Sequence, residues 1–169
     1  SGRKTKYDCL FIGLTWKEGE LPDIETAFSD CFYTFFAATG FTNASTPANW
    51  KSMQQWAKAH NKLFIPSVGP GYIDTRIRPW NGSTTRDREN GKYYDDMYKA
   101  AIESGASYIS ITSFNEWHEG TQIEPAVSKK CDDLEYLDYK PLADDYYLIR
   151  TAYWVDEFRK ARSASEDVQ

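Results

Sequence analysis

The chain has 169 residues, 41% of them hydrophobic and 16% aromatic, and its formal net charge is −5. This length and composition predict one compact domain with a buried core. The acidic balance, without any run of five basic residues, argues against a nucleic-acid partner, because phosphate backbones attract clustered Lys and Arg. No apolar run approaches the ~20 residues of a membrane span, and residues 1–6 lack the apolar core of a signal peptide. We therefore expect a membrane anchor, if the protein has one, only upstream of this chain, whose first residue is Ser1 rather than Met.

Three cysteines, Cys9, Cys31 and Cys131, are an odd number, and none of them forms a C-x-x-C pair. This pattern predicts neither a disulfide framework nor a zinc site. Cys9 and Cys31 each begin an apolar run, so we predict that these two thiols are buried.

Four short runs rich in β-branched and aromatic residues predict strands, and each is largely apolar, as in strands buried on both faces. Helical patterns lie between and after them; one has a Pro47 start signal, and another ends before Gly105. The predicted strands are residues 9–15, 31–36, 63–68 and 108–112. The predicted helices are residues 23–29, 48–61, 93–104 and 143–162.

A strand followed by a helix, repeated four times, predicts an α/β fold with a parallel sheet and right-handed crossovers. Two architectures fit this order: a small doubly wound sheet, and half of a (β/α)8 barrel, since a full barrel takes ~250 residues. We expect residues 1–169 to form one domain with a polar tail at 163–169. In both architectures the functional groups lie where strands end and the following loops begin.

Two long loops follow the third and fourth predicted strands. The first covers residues 69–91, a length that is unusual for a connector in a compact domain and is often functional. The second runs from Asn115 to about residue 142 and begins with two carboxylates, Glu116 and Glu119. If this segment turns helically, the two side chains share one face, with Cβ atoms ~5 to 6 Å apart.

Paired carboxylates at that separation suit a retaining glycosidase, whose carboxyl groups lie ~5 to 5.5 Å apart. One group must stay neutral to protonate the leaving oxygen while the other is ionised. Mutual repulsion, with apolar cover from Phe114 and Trp117, would separate the two pKa values. A solvated acidic turn is an equally good interpretation of the spacing alone.

Other chemistries have weaker support. A metal site would draw on Glu116, His118, Glu119 and Asp74. The chain has only one other histidine, His60, at a predicted helix end, and it lacks H-E-x-x-H. The G-x-S-x-G elbow of a nucleophilic serine is absent, and no phosphate-binding glycine loop follows a strand. The sequence therefore predicts no cofactor and no metal.

The first long loop contains polar and aromatic side chains that suit a sugar. The hydroxyl groups of a sugar could form hydrogen bonds with Tyr72, Asp74, Arg76 and Arg78, and its ring could stack on Trp80. A structural clamp, in which Asp74 and an arginine pin the loop, explains the same residues equally well. Tyr33, in the second predicted strand, could reach the same rim as a catalytic group or could simply be packed.

Two triplets, which begin at Asn43 and Asn81, match the N-glycosylation pattern. Such triplets are common by chance. Asn81 lies inside the proposed site loop, so we expect it to be unmodified.

Three stretches of the chain are recognisable together: residues 64–74, 77–81 and 111–124. The last reads I-T-S-F-N-E-W-H-E-G-T-Q-I-E and is long enough to be highly specific. The three stretches closely resemble glycoside hydrolase family 99, and the similarity covers roughly residues 7–158. The resemblance implies a (β/α)8-barrel enzyme of the Golgi, of which this chain holds the second half.

The resemblance also implies the reaction: endo-acting, metal-independent release of glucosylated mannose from N-linked glycans, with retention and through a 1,2-anhydro sugar. By motif position, Glu116 resembles the general base that deprotonates the mannose 2-hydroxyl, and Glu119 resembles the general acid/base. Half of a barrel would expose two sheet edges, so a carbohydrate-binding or inactive fragment is the alternative. The expected substrate-binding residues are Tyr33, Tyr72, Asp74, Arg78, Trp80, Asn115, Trp117 and His118.

Overall fold

The computed structural model describes residues 5–17, 19–27, 29–131 and 134–166. Two 3-10 helices, Pro79–Thr84 and Glu89–Gly91, lie in the first long loop. The strands are β1 (Ile12–Leu14), β2 (Cys31–Tyr33), β3 (Leu63–Ile65), β4 (Ser67–Val68), β5 (Ser110–Ile111), β6 (Lys129–Cys131) and β7 (Leu134–Tyr136). The α-helices are α1 (Leu21–Thr26), α2 (Pro47–Ala59), α3 (Lys92–Glu103) and α4 (Tyr146–Glu166).

The first three strands form one parallel sheet in chain order, and β4 and β5 form a second, two-stranded parallel sheet. β1 pairs with β2 and β2 with β3, while β4 pairs with β5. Only Pro66 separates β3 from β4, and because proline has no N–H to donate, the predicted strand 63–68 is divided in two. The α/β fold with parallel strands is therefore confirmed. Consecutive order is what an arc of a barrel requires, but closure into a barrel, and hence the half-barrel itself, stays a prediction.

The observed strands are shorter than the apolar runs that predicted them. An apolar run indicates that residues are buried, whereas a strand is defined by backbone hydrogen bonds to its neighbour. The predicted helices agree more closely, although α4 begins at Tyr146 instead of residue 143 and continues to Glu166. Residues 163–166 of the predicted polar tail are therefore helical, and 167–169 lie outside the described residues. The antiparallel hairpin of β6 and β7 was not predicted.

The helices cover one face of the sheet. Phe32 and Phe64, which face each other across β2 and β3, are 0% and 1% exposed, and Phe32 also packs edge-on against Trp56 of α2. On the outer side, Arg150 of α4 makes two hydrogen bonds of 2.6 and 2.7 Å to Asp95 of α3. Because side chains alternate along a strand, the neighbours of the buried phenylalanines point to the opposite face.

The edge of the sheet at β1 is exposed. Its apolar side chains Ile12 and Leu14 are 53% and 47% exposed, and Cys9, just before the strand, is exposed as well. The prediction that Cys9 is buried is therefore wrong, because an apolar run at a sheet edge has no second layer over it. Cys31, in the interior strand β2, is buried as predicted. Within the described ranges, no helix combines the length and the hydropathy needed to cross a bilayer.

Candidate active site

The loops that follow β2, β4 and β5 start side by side. Gly69, the first residue after β4, lies between the segments that follow the two neighbouring strands. A Cβ at Gly69 would be 2.2 Å from the Cβ of Ala37 and 2.6 Å from the carbonyl oxygen of Thr112. Only glycine allows this approach. The sequence thus brings the starts of the two long loops next to the segment that follows β2, whose last residue is Tyr33.

The loop that carries both glutamates is closed at its base. The N–H of Ser113 donates to the carbonyl of Thr121 (3.0 Å), and the two hydroxyl groups are 2.8 Å apart. Between these residues the chain turns tightly, with the N–H of Gly120 donating to the carbonyl of Trp117 at 3.2 Å. Glu119 lies within this turn and Glu116 immediately before it, and the predicted separation of their carboxyl groups stays a prediction.

The two long loops are joined to each other through their backbones. The N–H of Ile73 donates to the carbonyl of Glu119 at 2.8 Å. Gly120 makes this contact possible, because its φ is +62° and a Cβ there would be 2.6 Å from Cγ2 of Ile73. Two arginines add further links: Arg76 donates to the carbonyl of Trp117 (2.6 Å) and Arg88 to that of Gly120 (2.9 Å). The position of Glu119 therefore depends on both loops.

Glu119 and Glu116 are in different surroundings. The Glu119 side chain is only 25% exposed. Burial raises the pKa of Glu119 and the charge of Glu116 raises it further, while Arg78, whose Nη1 is 3.4 Å from Oε1, acts in the opposite direction. The net pKa of Glu119 lies above its ordinary value. Glu116 is exposed, and its Oε1 accepts the N–H of His118 at 3.0 Å.

Asp74 is the centre of a hydrogen-bond network beside this pair. It is 0% exposed, and its Oδ2 accepts from Asn81 (2.7 Å), Arg78 (3.0 Å) and the Tyr72 hydroxyl (3.1 Å). Burial alone would raise the pKa of Asp74, but the three hydrogen bonds together hold it below its usual value. Because no part of Asp74 is open to solvent, this geometry favours the clamp over direct contact with a sugar.

Tyr72 and Arg78 connect the clamp to the glutamates. Burial is the main reason that the pKa of Tyr72 is raised, and the charges of Glu119 and Asp74 add to it, so the hydroxyl stays protonated as a donor. Arg78 Nη1 contacts both Asp74 and Glu119, and its side chain is 44% exposed. Arg78 can therefore contact a ligand while it remains held in place.

Four other predicted residues lie on the two long loops. His118 is exposed, with Nδ1 2.9 Å from the Tyr136 hydroxyl, and Trp117 donates its Nε1–H to Glu124 at 2.6 Å. Trp80 is 81% exposed, and Asn115 is also exposed. Trp80 and Asn115 make no side-chain hydrogen bond to the Asp74 network within the described part of the chain.

Tyr33 lies at the end of β2 and is half-buried. Phe32, its neighbour, faces the helices, so the Tyr33 side chain points to the opposite face of the sheet, on the same side as the buried Cys31. Among residues 5–17, 19–27, 29–131 and 134–166, none forms a hydrogen bond with the Tyr33 hydroxyl. Its role in the site stays a prediction.

Two residues that sequence reasoning did not assign to the site belong to it. Asn81 was considered only as a glycosylation triplet, yet its amide is bonded to Asp74; its place at the end of the recognisable stretch 77–81 was the available signal. Tyr136, which contacts His118, comes from the unpredicted hairpin and had no signal in the sequence. Arg76, considered above as a sugar-binding group, donates instead to backbone carbonyls.

The described residues contain no group of three or more His, Cys, Asp or Glu side chains that could hold a metal ion. The arrangement is instead one of two unequal carboxylates, an arginine that is partly open to solvent, and aromatic side chains nearby. Such a set can transfer protons to and from a neutral, hydroxyl-rich substrate.

Comparisons with known proteins agree on one family. The sequence profile of glycosyl hydrolase family 99 matches residues 1–160. The chain is 51% identical to a human glycoprotein endo-alpha-1,2-mannosidase-like protein over 160 residues, which are 95% of this chain and 35% of that protein. It is also 51% identical to the mouse glycoprotein endo-alpha-1,2-mannosidase over 162 residues, 96% of this chain and 35% of that one. The chain thus spans about a third of the length of these curated relatives.

A solved structure is more similar still. The chain superposes with a TM-score of 0.91 on the family 99 endo-alpha-mannosidase from Bacteroides thetaiotaomicron in complex with BIS-TRIS-propane, at 93% identity. The match covers 97% of this chain and 51% of that one. A glycoside hydrolase-like protein with 20% identity and a TM-score of 0.61 shares the fold.

Proposed function

The chain belongs to glycosyl hydrolase family 99, and on that premise we propose that it carries the catalytic carboxylates of an endo-acting α-mannosidase. The proposed substrate is an N-linked oligosaccharide, from which the enzyme releases glucosylated mannose by internal cleavage. The similarity to a glycoprotein endo-alpha-1,2-mannosidase and to a family 99 endo-alpha-mannosidase supports this substrate class. The chain supplies only part of such a protein's length, so the activity is proposed for the protein in which it functions.

In the proposed first step, Glu116 takes the proton of the mannose 2-hydroxyl, and O2 attacks the anomeric carbon. The bond from that carbon to the leaving oxygen breaks as Glu119 donates a proton to the oxygen. A 1,2-anhydro sugar results, without a covalent bond to the protein. Glu119 must be protonated at the start and Glu116 ionised, which requires two carboxyl groups with separated proton affinities.

In the second step, Glu119, now ionised, takes a proton from water, and the water oxygen attacks the anomeric carbon. The C1–O2 bond opens, and O2 receives a proton from Glu116. Two inversions at the anomeric carbon give net retention, and both carboxyl groups return to their starting states. No metal or cofactor takes part in this scheme.

The observation that carries the assignment of roles is the unequal environment of the two glutamates. Glu119 is mostly buried and has a raised pKa, as a general acid needs near neutral pH. Glu116 is exposed at the same turn and is free to meet a substrate hydroxyl. Arg78 lies next to Glu119, where it contributes charge stabilisation as Glu119 loses its proton.

The other side chains at the rim are proposed to bind the sugar. Arg78, Asn115 and His118 provide exposed hydrogen-bonding groups, and Trp80 provides an exposed ring on which a sugar face can stack. Tyr72 and Asp74 act indirectly, by holding Arg78. Trp117 is proposed to line the turn between the two carboxylates, and Tyr33 to approach from the face of the sheet opposite the helices.

Two isosteric substitutions test the proposal. Glu119→Gln and Glu116→Gln should each lower kcat/KM on a glucosylated N-glycan by ~10²–10⁴-fold, the range for losing a general acid or base. A substrate with a good leaving group should partly restore the turnover of the Glu119→Gln variant, because such a group leaves without protonation. The same substrate should not restore the turnover of Glu116→Gln.

Glu103→Gln, an exposed residue at the end of α3, is the matched control and should keep full activity. Near-normal turnover by either active-site variant would reject the assignment. Glycan binding without turnover in the unaltered protein, and persisting in both variants, would instead indicate a carbohydrate-binding function.

The Golgi location implied by the family resemblance applies to a eukaryotic protein. The 93% identity to a Bacteroides thetaiotaomicron enzyme favours a bacterial source, and bacteria have no Golgi. We therefore propose that the chain acts on N-linked glycans encountered by a bacterium. Isolation of the activity from a cell fraction, with this chain identified in it, would test the location.

A further inference from the structure

A cavity of about 240 Å³ lies between the two long loops, next to the Asp74 network, with which it shares only Tyr72 of its lining. Residues from both loops form its wall, including Ile73 and Gly120, whose backbones adjoin Glu119. Two carboxylates line it, those of Asp87 and Asp138. Its cationic side chains are Arg76, Arg86, Arg88 and Lys140. The cavity is therefore more positive than a chain with a net charge of −5 would suggest.

Within the described ranges, the three arginines pair with no carboxylate. Arg76 and Arg88 donate to backbone carbonyls of the second loop, and Arg86 donates to the carbonyls of Thr39, Ser83 and Thr85. None of the salt bridges found among the described residues involves these three guanidinium groups. Carbonyl oxygens satisfy N–H donors but do not neutralise charge. The rings of Tyr139 and Tyr147, whose centroids are 4.8 and 4.5 Å from the Arg88 guanidinium, and the carboxylates of Asp87 and Asp138 offset only part of the charge of four cationic side chains.

Several polar atoms at the cavity are buried and have no partner. Nη1 of Arg88, Nε of Arg76 and Oε1 of Gln122 make no hydrogen bond in the structure. Gln122 is 4% exposed, so bulk solvent does not satisfy its amide. Buried polar atoms are nearly always paired in folded proteins, which indicates that the cavity has an occupant. Water would satisfy the hydrogen bonds but would leave the remaining charge uncompensated.

From this combination of charge, unpaired donors and volume, we propose that the cavity binds a small oxyanion of the phosphate class. Guanidinium forks match the oxygens of such an anion in geometry and charge. The anion would contact Arg76 and Arg88 together and so hold in place the two side chains through which the first loop donates to backbone carbonyls of the second. The source is either free inorganic phosphate or the phosphate group of a sugar. This proposal does not rest on the mannosidase activity.

Thermal unfolding of the chain with added inorganic phosphate tests the site, with sodium chloride added to the same ionic strength as the reference. A ligand that binds only the folded state raises the melting temperature, and saturating phosphate should raise it by at least about 2 °C. Equal melting temperatures in phosphate and chloride would overturn the proposal. Mannose 6-phosphate, tested at the same concentrations, separates the sources: a larger shift indicates a sugar-borne phosphate, and an equal or smaller shift indicates the free ion.

A pair of matched substitutions tests the charge argument. Gln122→Glu places a carboxylate of nearly the same shape among the arginines, so it should raise the melting temperature without phosphate and abolish the response to phosphate. Gln54→Glu is the control, because Gln54 of α2 is also buried and has an unpaired Oε1, but it lies outside the cavity. Its buried charge has no partner there and should lower the melting temperature. A fall for Gln122→Glu as large as that for Gln54→Glu would overturn the proposal, as would a phosphate response that survives in Gln122→Glu.

Discussion

Replacing Asp74 with asparagine tests whether one buried carboxylate holds the first long loop. The amide has the same shape, and its oxygen, in the position of Oδ2, can still accept from Tyr72, Arg78 and Asn81. Two properties change. The acceptor loses its negative charge, and an NH2 group takes the position of Oδ1, which is buried without a partner among the described residues.

The size of the effect follows from these contacts. A hydrogen bond to a charged group contributes ~1.5–3 kcal/mol and a neutral one ~0.5–1.5, so the bonds from Tyr72 and Asn81 should each weaken by ~1 kcal/mol. The bond from Arg78 adds little, because that side chain is 44% exposed and solvent screens its charge. A buried NH2 group without an acceptor costs ~1–3 kcal/mol more. The free energy of unfolding should therefore fall by about 3–5 kcal/mol.

Urea denaturation at pH 7, followed by circular dichroism, measures this loss. The control is Asp156→Asn, whose ion pair with Arg159 lies on the exposed side of α4 and should contribute no more than ~0.5 kcal/mol. An Asp74→Asn variant within ~1 kcal/mol of the unaltered protein would refute the clamp, since that difference is typical of an ordinary substitution.

The same variant makes a second, pH-dependent prediction. The pKa of Asp74 in the folded state is below its unfolded value, so its ionisation stabilises the fold above the unfolded pKa. This contribution is lost as the pH falls through the folded value. The unaltered protein should therefore lose more stability on acidification than Asp74→Asn does. Parallel acid-denaturation curves would contradict this prediction.

Three further predictions concern the site and its support. Arg78→Gln removes the charge that lowers the pKa of Glu119, so the alkaline limb of the kcat/KM–pH profile should move to higher pH. A shift of this limb to lower pH would refute the assignment of Glu119 as the acid. Gly120→Ala should lower the free energy of unfolding, measured by urea denaturation, by ~2–5 kcal/mol. Gly120 has a positive φ, and a Cβ at this position would be 2.6 Å from the Ile73 side chain. Arg150→Ala breaks the bidentate bond between α4 and α3 and should cost ~1–3 kcal/mol in the same assay, without changing activity measured well below the melting temperature.

Much of the fold was predictable because it is encoded in local patterns. A strand that is buried on both faces requires a short apolar run, and four such runs predicted the parallel strands in their order along the chain. The periodicity of apolar residues gave α2 and α3 to within about two residues. The recognisable stretch 111–124 likewise identified the family, since it is a property of consecutive residues, and it is the basis on which Glu116 and Glu119 are proposed as catalytic.

The hairpin of β6 and β7 was not predictable in the same way. Its strands read Lys129–Cys131 and Leu134–Tyr136, which are mostly exposed and show no regular apolar alternation. Cys9 shows the converse error, because its apolar neighbours lie at a sheet edge. In both cases the burial of a segment depends on what packs against it, and this cannot be predicted from the sequence of the segment alone.

The sequence by itself determined the order of strands and helices and the family, and it predicted Glu116 and Glu119 as the catalytic pair. Only the tertiary structure decided how these groups differ. Asp74 became a buried clamp because Asn81 and Tyr72 converge on it, and the pKa of Glu119 was raised by burial beneath a loop that begins some 50 residues earlier in the chain. The physical reason is that apolar periodicity and turn chemistry act between near neighbours in sequence. Proton affinity and hydrogen-bond geometry instead depend on distances between groups that only the folded chain brings together.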